Sequence, residues 1–366
     1  MIKIESDNIH KAKSLFYEAC EPFVRSRLIF IIRLLYRLKE GAKFKISDIN
    51  SCNKLHHNTI SALIRPLIKK DKKTSNITNS DFDLSNDNIT SYLEFLEITL
   101  YNLEAILVGL PDNIKKYADK NEYALQQDGT IKVLLEKIFF YERLTGEGFI
   151  LKDKLKFTSY TLTSLLGFSV CPYCNRNWII TVSKRNKKVT NPQLDHFFSK
   201  SHFPLLRLSF YNLIPSCETC NARLKKNTEF KIDNNLHPYL DGYSTNAKFI
   251  VHPLSYEAAV GVGNDYKVVI DCKKQLKSKV KSNHETFKID EIYEKHGDII
   301  SEVFRKKYIW NDTYFKTLKT TFSELNISKN EMYRLIFGNY LDESEFSKRP
   351  FSKLTKDLTE DILKFK

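Results

Sequence analysis

The sequence predicts an α+β protein that is mainly helical, and three observations carry that prediction. Glycine and proline are scarce in the 366-residue chain, at 11 and 10 residues, which argues against a loop-rich all-β protein. Apolar residues recur with helical period in long stretches towards both ends. The middle of the chain instead has short β-like runs, turn residues and four of the seven cysteines.

The first 165 residues are predicted to form a helical N-terminal region. Residues 23–38, 91–110 and 131–143 each repeat apolar side chains at helical spacing. This region is a candidate docking or regulatory element, and its apolar faces also suit the ordinary core of a compact helical protein. Residues 166–245 are predicted as a separate central module. For residues 246–366 we expect two short strands, at 248–251 and 266–270, and then helices that pack on that module.

Composition excludes several classes of protein. Hydrophobic residues are 42% and charged residues 28% of the chain, which is typical of a globular protein and not of a disordered one. No apolar run reaches the roughly 18–20 residues of a membrane span. Glu5 and Asp7 lie where a signal peptide would have basic and then apolar residues. We therefore expect a cytoplasmic protein without a membrane partner.

Positive charge is concentrated in the central module. The net charge is +14, and the stretch 171–231 holds eleven basic residues against the three acids Asp195, Glu218 and Glu229, or +8. Such a local excess favours a polyanion, of which nucleic acid is the commonest. The alternative is a charge that serves solubility alone.

Four cysteines form two pairs with the spacing of a zinc site. These are Cys171 with Cys174, and Cys217 with Cys220. Two such pairs can close a tetrahedral site, for which Zn²⁺ is the natural ion, and a four-cysteine site leaves no position open for catalysis. The alternative is a chance pairing of buried cysteines. Cys20, Cys52 and Cys272 have no such partner and are predicted to be small core residues.

The 42 residues between the two pairs carry a recognisable order of polar residues. Asp195 and His196 come first, Asn212 follows, and Asn221 comes directly after the second cysteine of the second pair. This order resembles that of the HNH, or ββα-metal, nucleases. In that family the Asp-His pair lies on a β-hairpin and the CxxC-Asn segment begins a helix packed against it. The resemblance therefore implies that Asp195 and Asn221 face one another across a gap the size of a metal ion.

The residue types suit the hydrolysis of a phosphodiester. Asp195 and Asn221 offer a carboxylate and an amide oxygen, which are ligands for catalytic Mg²⁺ or Mn²⁺. His196 titrates near neutral pH and is the expected general base. Asn212 is expected to fix the imidazole ring or to brace the loop. Asn221 has a second interpretation as an ordinary residue at the start of a helix.

Cations near these residues are expected to bind phosphates of the nucleic acid. Lys225 and Lys226 follow Asn221 on the predicted helix, and Lys200 and Arg223 lie close by in the sequence. No base-reading cluster is evident, so we expect little sequence specificity. DNA is favoured over RNA as the substrate, and no small-molecule substrate is expected.

From about residue 165 onwards the chain resembles a narrower family, the PtuB-type HNH nuclease of Septu anti-phage defence systems. The likeness rests on residues 171–177, 194–198, 203–206, 209–215, 237–239, 287–293, 296 and 349–354. This resemblance implies an immune effector that damages nucleic acid and works with an ATPase protein encoded nearby. Two other interpretations stay open. One is a zinc-stapled nucleic-acid-binding adaptor without catalysis, and the other is a stand-alone restriction-type HNH nuclease.

Overall fold

A computed structural model describes residues 1–41, 43–50, 55–74, 77–184, 187–309, 313, 317, 320–321 and 328–360. Cys52, predicted as a core residue, and Arg185, counted in the basic stretch, lie outside these residues. The chain divides into two compact units. Unit 1 comprises Met1–Asp7, Leu166–Asp195 and Ile214–Lys366, and unit 2 comprises Asn8–Leu165 and His196–Leu213.

Unit 2 is built almost entirely from helices. In chain order these are α1 (Ile9–Lys39), α2 (Ile46–Asn50), α3 (His57–Ile64), α4 (Asn86–Tyr101), α5 (Leu103–Val108), α6 (Pro111–Gln127), α7 (Gly129–Ile138), α8 (Glu142–Thr145) and α9 (Ser159–Leu166). Strands β1 (Phe149–Ile150) and β2 (Lys156–Phe157) pair antiparallel between α8 and α9. Short 3₁₀ turns occur at Arg65–Leu67, Asn79–Asp81, Pro204–Leu206 and Phe210–Asn212.

The long helix α1 forms the centre of unit 2. Its buried side chains are almost all apolar, and it packs against α4, α5 and α7. Phe16 lies fully buried between Phe157 and Phe210, with its ring edge-on to both. Arg27 is also buried, where its guanidinium donates to the carbonyl of Lys137 and covers the ring of Phe23. The aliphatic part of a buried arginine thus packs with the core while its charge finds polar and aromatic partners.

Unit 1 contains the remaining strands and the C-terminal helices. The strands are β3 (Val182–Lys184), β4 (Lys187–Thr190), β5 (Gln193–His196), β6 (Leu213–Ser216), β7 (Ala247–Pro253) and β8 (Tyr266–Cys272), of which β5 and β6 each have one end residue in unit 2. A π-helix covers Thr219–Lys225. The α-helices are α10 (Tyr256–Ala259), α11 (Lys277–Phe287), α12 (Ile289–Glu294), α13 (Gly297–Ile309), α14 (Lys329–Phe337) and α15 (Ser352–Thr359), with 3₁₀ turns at Ser244–Asn246, Lys274–Leu276 and Glu343–Lys348.

A β-hairpin and aromatic stacking form the core of unit 1. Strands β7 and β8 pair antiparallel from Ala247 opposite Cys272 to Pro253 opposite Tyr266, which confirms both predicted strands. Phe249 on β7 stacks on Tyr293 of α12, with ring centroids 5.0 Å apart and planes 10° apart. Offset stacking of this kind adds roughly 0.5–1.5 kcal/mol to what burial of the rings contributes.

The predicted fold class is confirmed at the level of α+β with mostly helical structure. The strands pair in chain order into small two-stranded sheets, β1 with β2, β3 with β4, β5 with β6, and β7 with β8. Within the described part of the chain, no helix combines the length and the apolar character that a membrane crossing requires.

Candidate functional site

The four cysteines predicted to form a metal site come together in unit 1. The Sγ atoms of Cys171, Cys174, Cys217 and Cys220 all lie within 4.8 Å of one another, and all four residues are buried. Sulfurs that share one zinc ion at the usual bond length are roughly 3.8 Å apart. The cluster is therefore close to the size of a tetrahedral site and could hold a metal such as zinc.

The first pair is held by a tight turn after Cys174. The amide of Asn175 donates to the carbonyl of Cys171 at 2.8 Å, and the amide of Cys171 donates to the carbonyl of Asn177 at 2.9 Å. Asn175 adopts a left-handed backbone with φ of 45°, a conformation that Asn tolerates better than most residues. Its side chain donates to the carbonyl of Phe346 and accepts from the amide of Lys353, so the turn is tied to the C-terminal part of unit 1.

The second pair lies where β6 ends and the π-helix begins. Two N–H groups point at the sulfur of Cys217, the amide of Cys220 at 3.4 Å and the side-chain amide of Asn177 at 3.3 Å. Hydrogen bonds within the cluster, led by that from Cys171, hold the pKa of Cys217 well below its usual value. Burial raises the pKa of Cys171 well above its usual value. Four thiolates cannot coexist in this buried space without a cation, and zinc would supply that charge.

The four predicted active-site residues belong to two different units. Asp195 and Asn221 are part of unit 1, and His196 and Asn212 are part of unit 2. The division falls at the peptide bond between Asp195 and His196.

Asp195 is buried in unit 1 and has two charged or polar partners. Its Oδ1 accepts from the Lys225 ammonium at 3.0 Å, and its Oδ2 accepts from the Tyr173 hydroxyl at 2.6 Å. The side chains of Asp195 and Lys225 are 3% and 2% exposed. Burial, and then the charge of Asp195, raise the pKa of Tyr173 well above its usual value, so the phenol keeps its proton and remains a donor. Tyr173 lies between the two cysteines of the first pair and thus connects Asp195 with the cluster.

Asn221 lies over the same strand as Asp195 but contacts a different residue. Its Nδ2 donates to Oε1 of Gln193 at 2.9 Å. Gln193 and Asp195 are two residues apart on β5 and so share one face of that strand. Asn221 and Lys225 are four residues apart on the π-helix, which is close to one turn. The helix therefore places Asn221 beside Gln193 and Lys225 beside Asp195.

The predicted pairing of Asp195 with Asn221 across a metal ion stays a prediction, and each of the two side chains has protein partners of its own. The cation beside Asp195 is the ammonium of Lys225, whose Nζ lies 3.0 Å from Oδ1. Lys225 was also predicted as a phosphate contact, but it is buried, it pairs with Asp195, and it lies 5.0 Å from the centre of the Phe230 ring.

His196 is oriented by a backbone carbonyl of unit 2. Its Nε2 lies 3.1 Å from the carbonyl oxygen of Arg207. Because a carbonyl can only accept, Nε2 carries the proton, and in the neutral ring the lone pair belongs to Nδ1. The ring of Tyr141 packs edge-on against the imidazole, with centroids 4.5 Å apart. The hydrogen bond to Arg207 therefore favours the tautomer in which His196 can accept a proton at Nδ1.

Asn212 braces the loop that follows His196. It is fully buried, its Oδ1 accepts from the amide of Phe198 at 2.7 Å, and its Nδ2 donates to the carbonyls of Phe198 and Leu206 at 3.1 and 2.9 Å. Of the two roles expected for this residue, these bonds correspond to the bracing of the loop.

Arg207 fastens the same loop to two helices of unit 2. Its guanidinium pairs with Glu142 of α8 at 2.6 Å and with Glu136 of α7 at 3.5 Å, and its side chain is 9% exposed. Burial acts to raise the pKa of Glu142, but a hydrogen bond from its own backbone and the charges of Arg207 and Lys200 outweigh it, so the pKa is lower than usual. No sequence pattern indicated Arg207, Glu142 or Tyr173, because each acts through a neighbour that is distant in the chain or part of another motif.

The other predicted phosphate contacts lie on the surface of their units. Lys200 is exposed, 3.7 Å from Glu142 and over the ring of Tyr141. Arg223 is exposed and pairs with Glu218 at 3.0 Å, and Lys226 is exposed at the end of the π-helix. These three positions are accessible to a phosphate, which Lys225 is not.

Comparisons with known proteins give no relative for this chain. No protein-family model matches it, and neither a curated protein nor a solved structure matches it.

Proposed function

We propose that this chain is an HNH-type endonuclease that hydrolyses phosphodiester bonds of nucleic acid, with DNA favoured over RNA. The observation that carries the proposal is the order of its elements. Asp195 and His196 end strand β5, its partner strand β6 leads into Cys217, and the helix with Cys220 and Asn221 follows at once. This order of strand, strand and helix, joined to a four-cysteine cluster, supports the proposal because the resemblance implies the same order of elements.

The proposed chemistry assigns the proton transfer to His196. Its Nδ1 lone pair takes a proton from water, and the water oxygen attacks the phosphorus. The bond from phosphorus to the 3′ oxygen breaks, and that oxygen takes a proton from solvent. The products carry a 5′-phosphate and a 3′-hydroxyl. The hydrogen bond from Nε2 to the Arg207 carbonyl supports this role because it sets the tautomer before substrate arrives.

The proposal includes both a structural zinc ion and a catalytic Mg²⁺ or Mn²⁺ ion, and different observations support the two. Zinc at the four cysteines is supported by their geometry and burial. Mg²⁺ on Asp195 and Asn221 is proposed from their oxygen ligands and from the resemblance, and it would share the Asp195 carboxylate with the Lys225 ammonium or displace it. The role as an anti-phage effector with an ATPase partner rests on the resemblance to the Septu nucleases.

A non-catalytic nucleic-acid-binding adaptor is the second candidate, and one observation favours it. The Lys225 ammonium already supplies a positive charge to the buried Asp195 carboxylate, so the carboxylate has a structural partner without a metal. Both candidates require zinc and salt-sensitive binding of nucleic acid, but only the nuclease requires His196.

The deciding experiment compares the parent with His196→Ala on plasmid, linear DNA and tRNA, with and without Mg²⁺ and a co-encoded ATPase. We expect cleavage by the parent, its loss in His196→Ala, and binding within a few-fold of the parent. His252→Ala is the matched control, because His252 is an exposed histidine on β7. Cleavage by His196→Ala at the parental rate would exclude this mechanism, and binding without cleavage in every condition would favour the adaptor.

A further inference from the structure

The hairpin of β3 and β4 is an isolated and fully exposed two-stranded ribbon in unit 1. Its register pairs Val182 with Thr190, Ser183 with Lys188 and Lys184 with Lys187, with a bulge between Val182 and Ser183. All seven strand residues are exposed, and β3 and β4 form a sheet of their own. A lone two-stranded hairpin is marginally stable in water. Because the strand residues of this one are exposed, burial contributes little to its stability.

The charge on the ribbon is of one sign. Lys184 lies directly opposite Lys187, and Lys188 is next to it on the same strand. Like charges directly opposite each other destabilise a strand pair. The sequence from 172 to 194 contains no Asp or Glu, and the next acid, Asp195, is buried against Lys225. Within the described part of the chain, Lys184 and Lys187 form no ion pair, so the repulsion between them has no internal counter-charge.

Exposed apolar side chains accompany these lysines. Trp178, Ile180 and Val182 are 54%, 48% and 42% exposed, whereas the intervening Ile179 is 5% exposed. Val189 on β4 is 59% exposed. An exposed indole four residues before a strand pair that carries lysines suits nucleic acid, since phosphates pair with ammonium groups and the sugar–base surface contacts apolar groups.

We propose that the ribbon Val182–Lys184 and Lys187–Thr190, which the exposed Trp178 precedes in the chain by four residues, is a binding site for the backbone of duplex DNA. A two-stranded ribbon is narrow enough to enter the major groove of duplex DNA. A lysine ammonium binds a phosphate as a point charge, unlike the planar guanidinium of arginine, so these lysines are expected to contact the DNA backbone and not to read bases. The proposal rests on the proposed function, whose substrate it would hold. It also gives the opposed lysines a partner, because a polyanion removes the repulsion between them.

The test measures binding of a short fluorescent duplex DNA in buffer free of Mg²⁺. The variant carries Lys184→Gln, Lys187→Gln and Lys188→Gln, and the control carries Lys274→Gln, Lys277→Gln and Lys281→Gln, which remove the same charge from another part of unit 1. We expect the ribbon variant to bind about ten-fold more weakly or worse. The slope of log affinity against log salt should become shallower by about 0.9 for each phosphate that the variant no longer neutralises. The control should bind like the parent.

The substitutions are not expected to impair folding, so a change in affinity would report on binding. The substituted side chains are exposed, and removal of the opposed charges should leave the melting temperature equal or higher. Zinc content and far-UV circular dichroism of both variants check this.

Each outcome separates this inference from the proposed nuclease. Parental affinity in the ribbon variant, or an equal loss in the control, would overturn the ribbon as a DNA site. An equal loss of poly-glutamate binding would overturn it as well, because it would indicate an acidic protein as the partner. Weak binding by the ribbon variant together with a parent that never cleaves would support the ribbon and reject the nuclease. Failure of the parent to bind DNA would overturn the ribbon as a DNA site, whereas cleavage of tRNA by the same parent would still support the nuclease.

Discussion

At the scale of single residues, Asp195 is the best-defined of the predicted site residues, because its partners are known for both oxygens. The carboxylate accepts from an ammonium and from a phenol in a site from which water is excluded. A buried ion pair has little net effect on stability when both members are present, but removal of one member leaves a charge without compensation. Asp195 therefore depends on Lys225 for its counter-charge.

Lys225→Met should lower the free energy of unfolding by about 3–5 kcal/mol, because Asp195 would keep a buried charge without its cation. Urea denaturation measures this change. The matched control is Lys226→Met, at the next residue, whose side chain is exposed and whose loss should cost no more than about 0.5 kcal/mol.

Magnesium distinguishes a structural from a catalytic role for Asp195 in the same variant. If Asp195 is a metal ligand, millimolar Mg²⁺ should restore part of the stability that Lys225→Met removes, because a divalent ion can then pair with the carboxylate. Equal destabilisation with and without Mg²⁺ would argue against Asp195 as a ligand. A variant as stable as its parent would contradict the buried pair itself.

At the scale of elements, the loop from His196 to Asn212 is positioned by helices of the N-terminal region. Asn212 closes the loop on itself, and Arg207 fastens it to Glu136 of α7 and Glu142 of α8. The carbonyl of that same arginine accepts from His196. Helices α7 and α8, which had no assigned role in the sequence, therefore hold the group that sets the tautomer of the proposed base.

Arg207→Gln should reduce the rate of cleavage about ten- to a hundred-fold while DNA binding stays within a few-fold, because a base shifted by about 1 Å loses rate and not affinity. Single-turnover cleavage and fluorescence anisotropy measure the two quantities. Arg65→Gln is the control, since it makes the same substitution in unit 2 at an exposed arginine whose side chain bonds to the carbonyls of Lys70 and Lys72, away from His196 in the hydrogen-bond network. Equal losses of rate and affinity would show that Arg207 serves folding or binding and does not position His196.

The pairing of Arg207 with Glu142 has a defined pH range. Because the pKa of Glu142 is lower than usual in the folded protein, this pairing contributes stability above the usual pKa and loses it as pH falls through the lowered value. The positioning of the loop should therefore be intact at neutral pH.

Sequence patterns predicted the helices and strands that depend on local periodicity. They missed the features that depend on contacts between residues distant in the chain. The long apolar stretch at 23–38 lies within α1, and both predicted strands of the β7–β8 hairpin are present. The predicted helix 91–110 is in fact two, α4 and α5, which meet at Asn102. The side-chain Nδ2 of Asn102 donates to the carbonyl of Ile98 and its Oδ1 accepts from Tyr117, so this residue ends one helix where an apolar pattern continues. Periodicity does not show such a side-chain bond.

In the candidate site, too, the spacing of residues in the sequence predicted one feature, whereas the surroundings of a side chain in the fold could not be predicted. Two CxxC pairs were sufficient to predict that the four sulfurs meet, because a gap of two residues lets both thiolates of a pair reach one zinc ion. The partner of Asp195 could not be predicted in this way. Lys225 was expected on the surface, but it is buried and its ammonium pairs with Asp195 of β5, a contact between residues 30 positions apart in the chain.

At the scale of the whole molecule, the four cysteines belong to one unit although they are 49 positions apart from first to last. Cys171 and Cys174 come from the segment 166–195, and Cys217 and Cys220 come from the segment after 214. Between them the chain enters unit 2 for residues 196–213. A metal at the cluster would thus join two separate segments of unit 1, and it has no ligand in unit 2 among the described residues.

Removal of zinc should therefore unfold unit 1 and leave the helices of unit 2 at 9–39 and 86–108 folded. A structural zinc site contributes on the order of 10 kcal/mol or more to the segment it closes, which exceeds the stability of many domains. Hydrogen exchange with mass spectrometry, before and after treatment with a chelator, should show loss of protection across β7, β8 and α11 and retained protection in α1 and α4. One zinc per chain should be released.

Cysteine variants test the same claim without a chelator. Cys174→Ser and Cys217→Ser should reproduce the loss of protection in unit 1, whereas Cys272→Ser, at a half-buried cysteine outside the cluster, should not. Uniform loss of protection in both units would mean that the metal holds the whole chain together. Unchanged exchange in all variants would remove the cluster as a structural element, and the two CxxC pairs would then be buried thiols that meet without a shared ion.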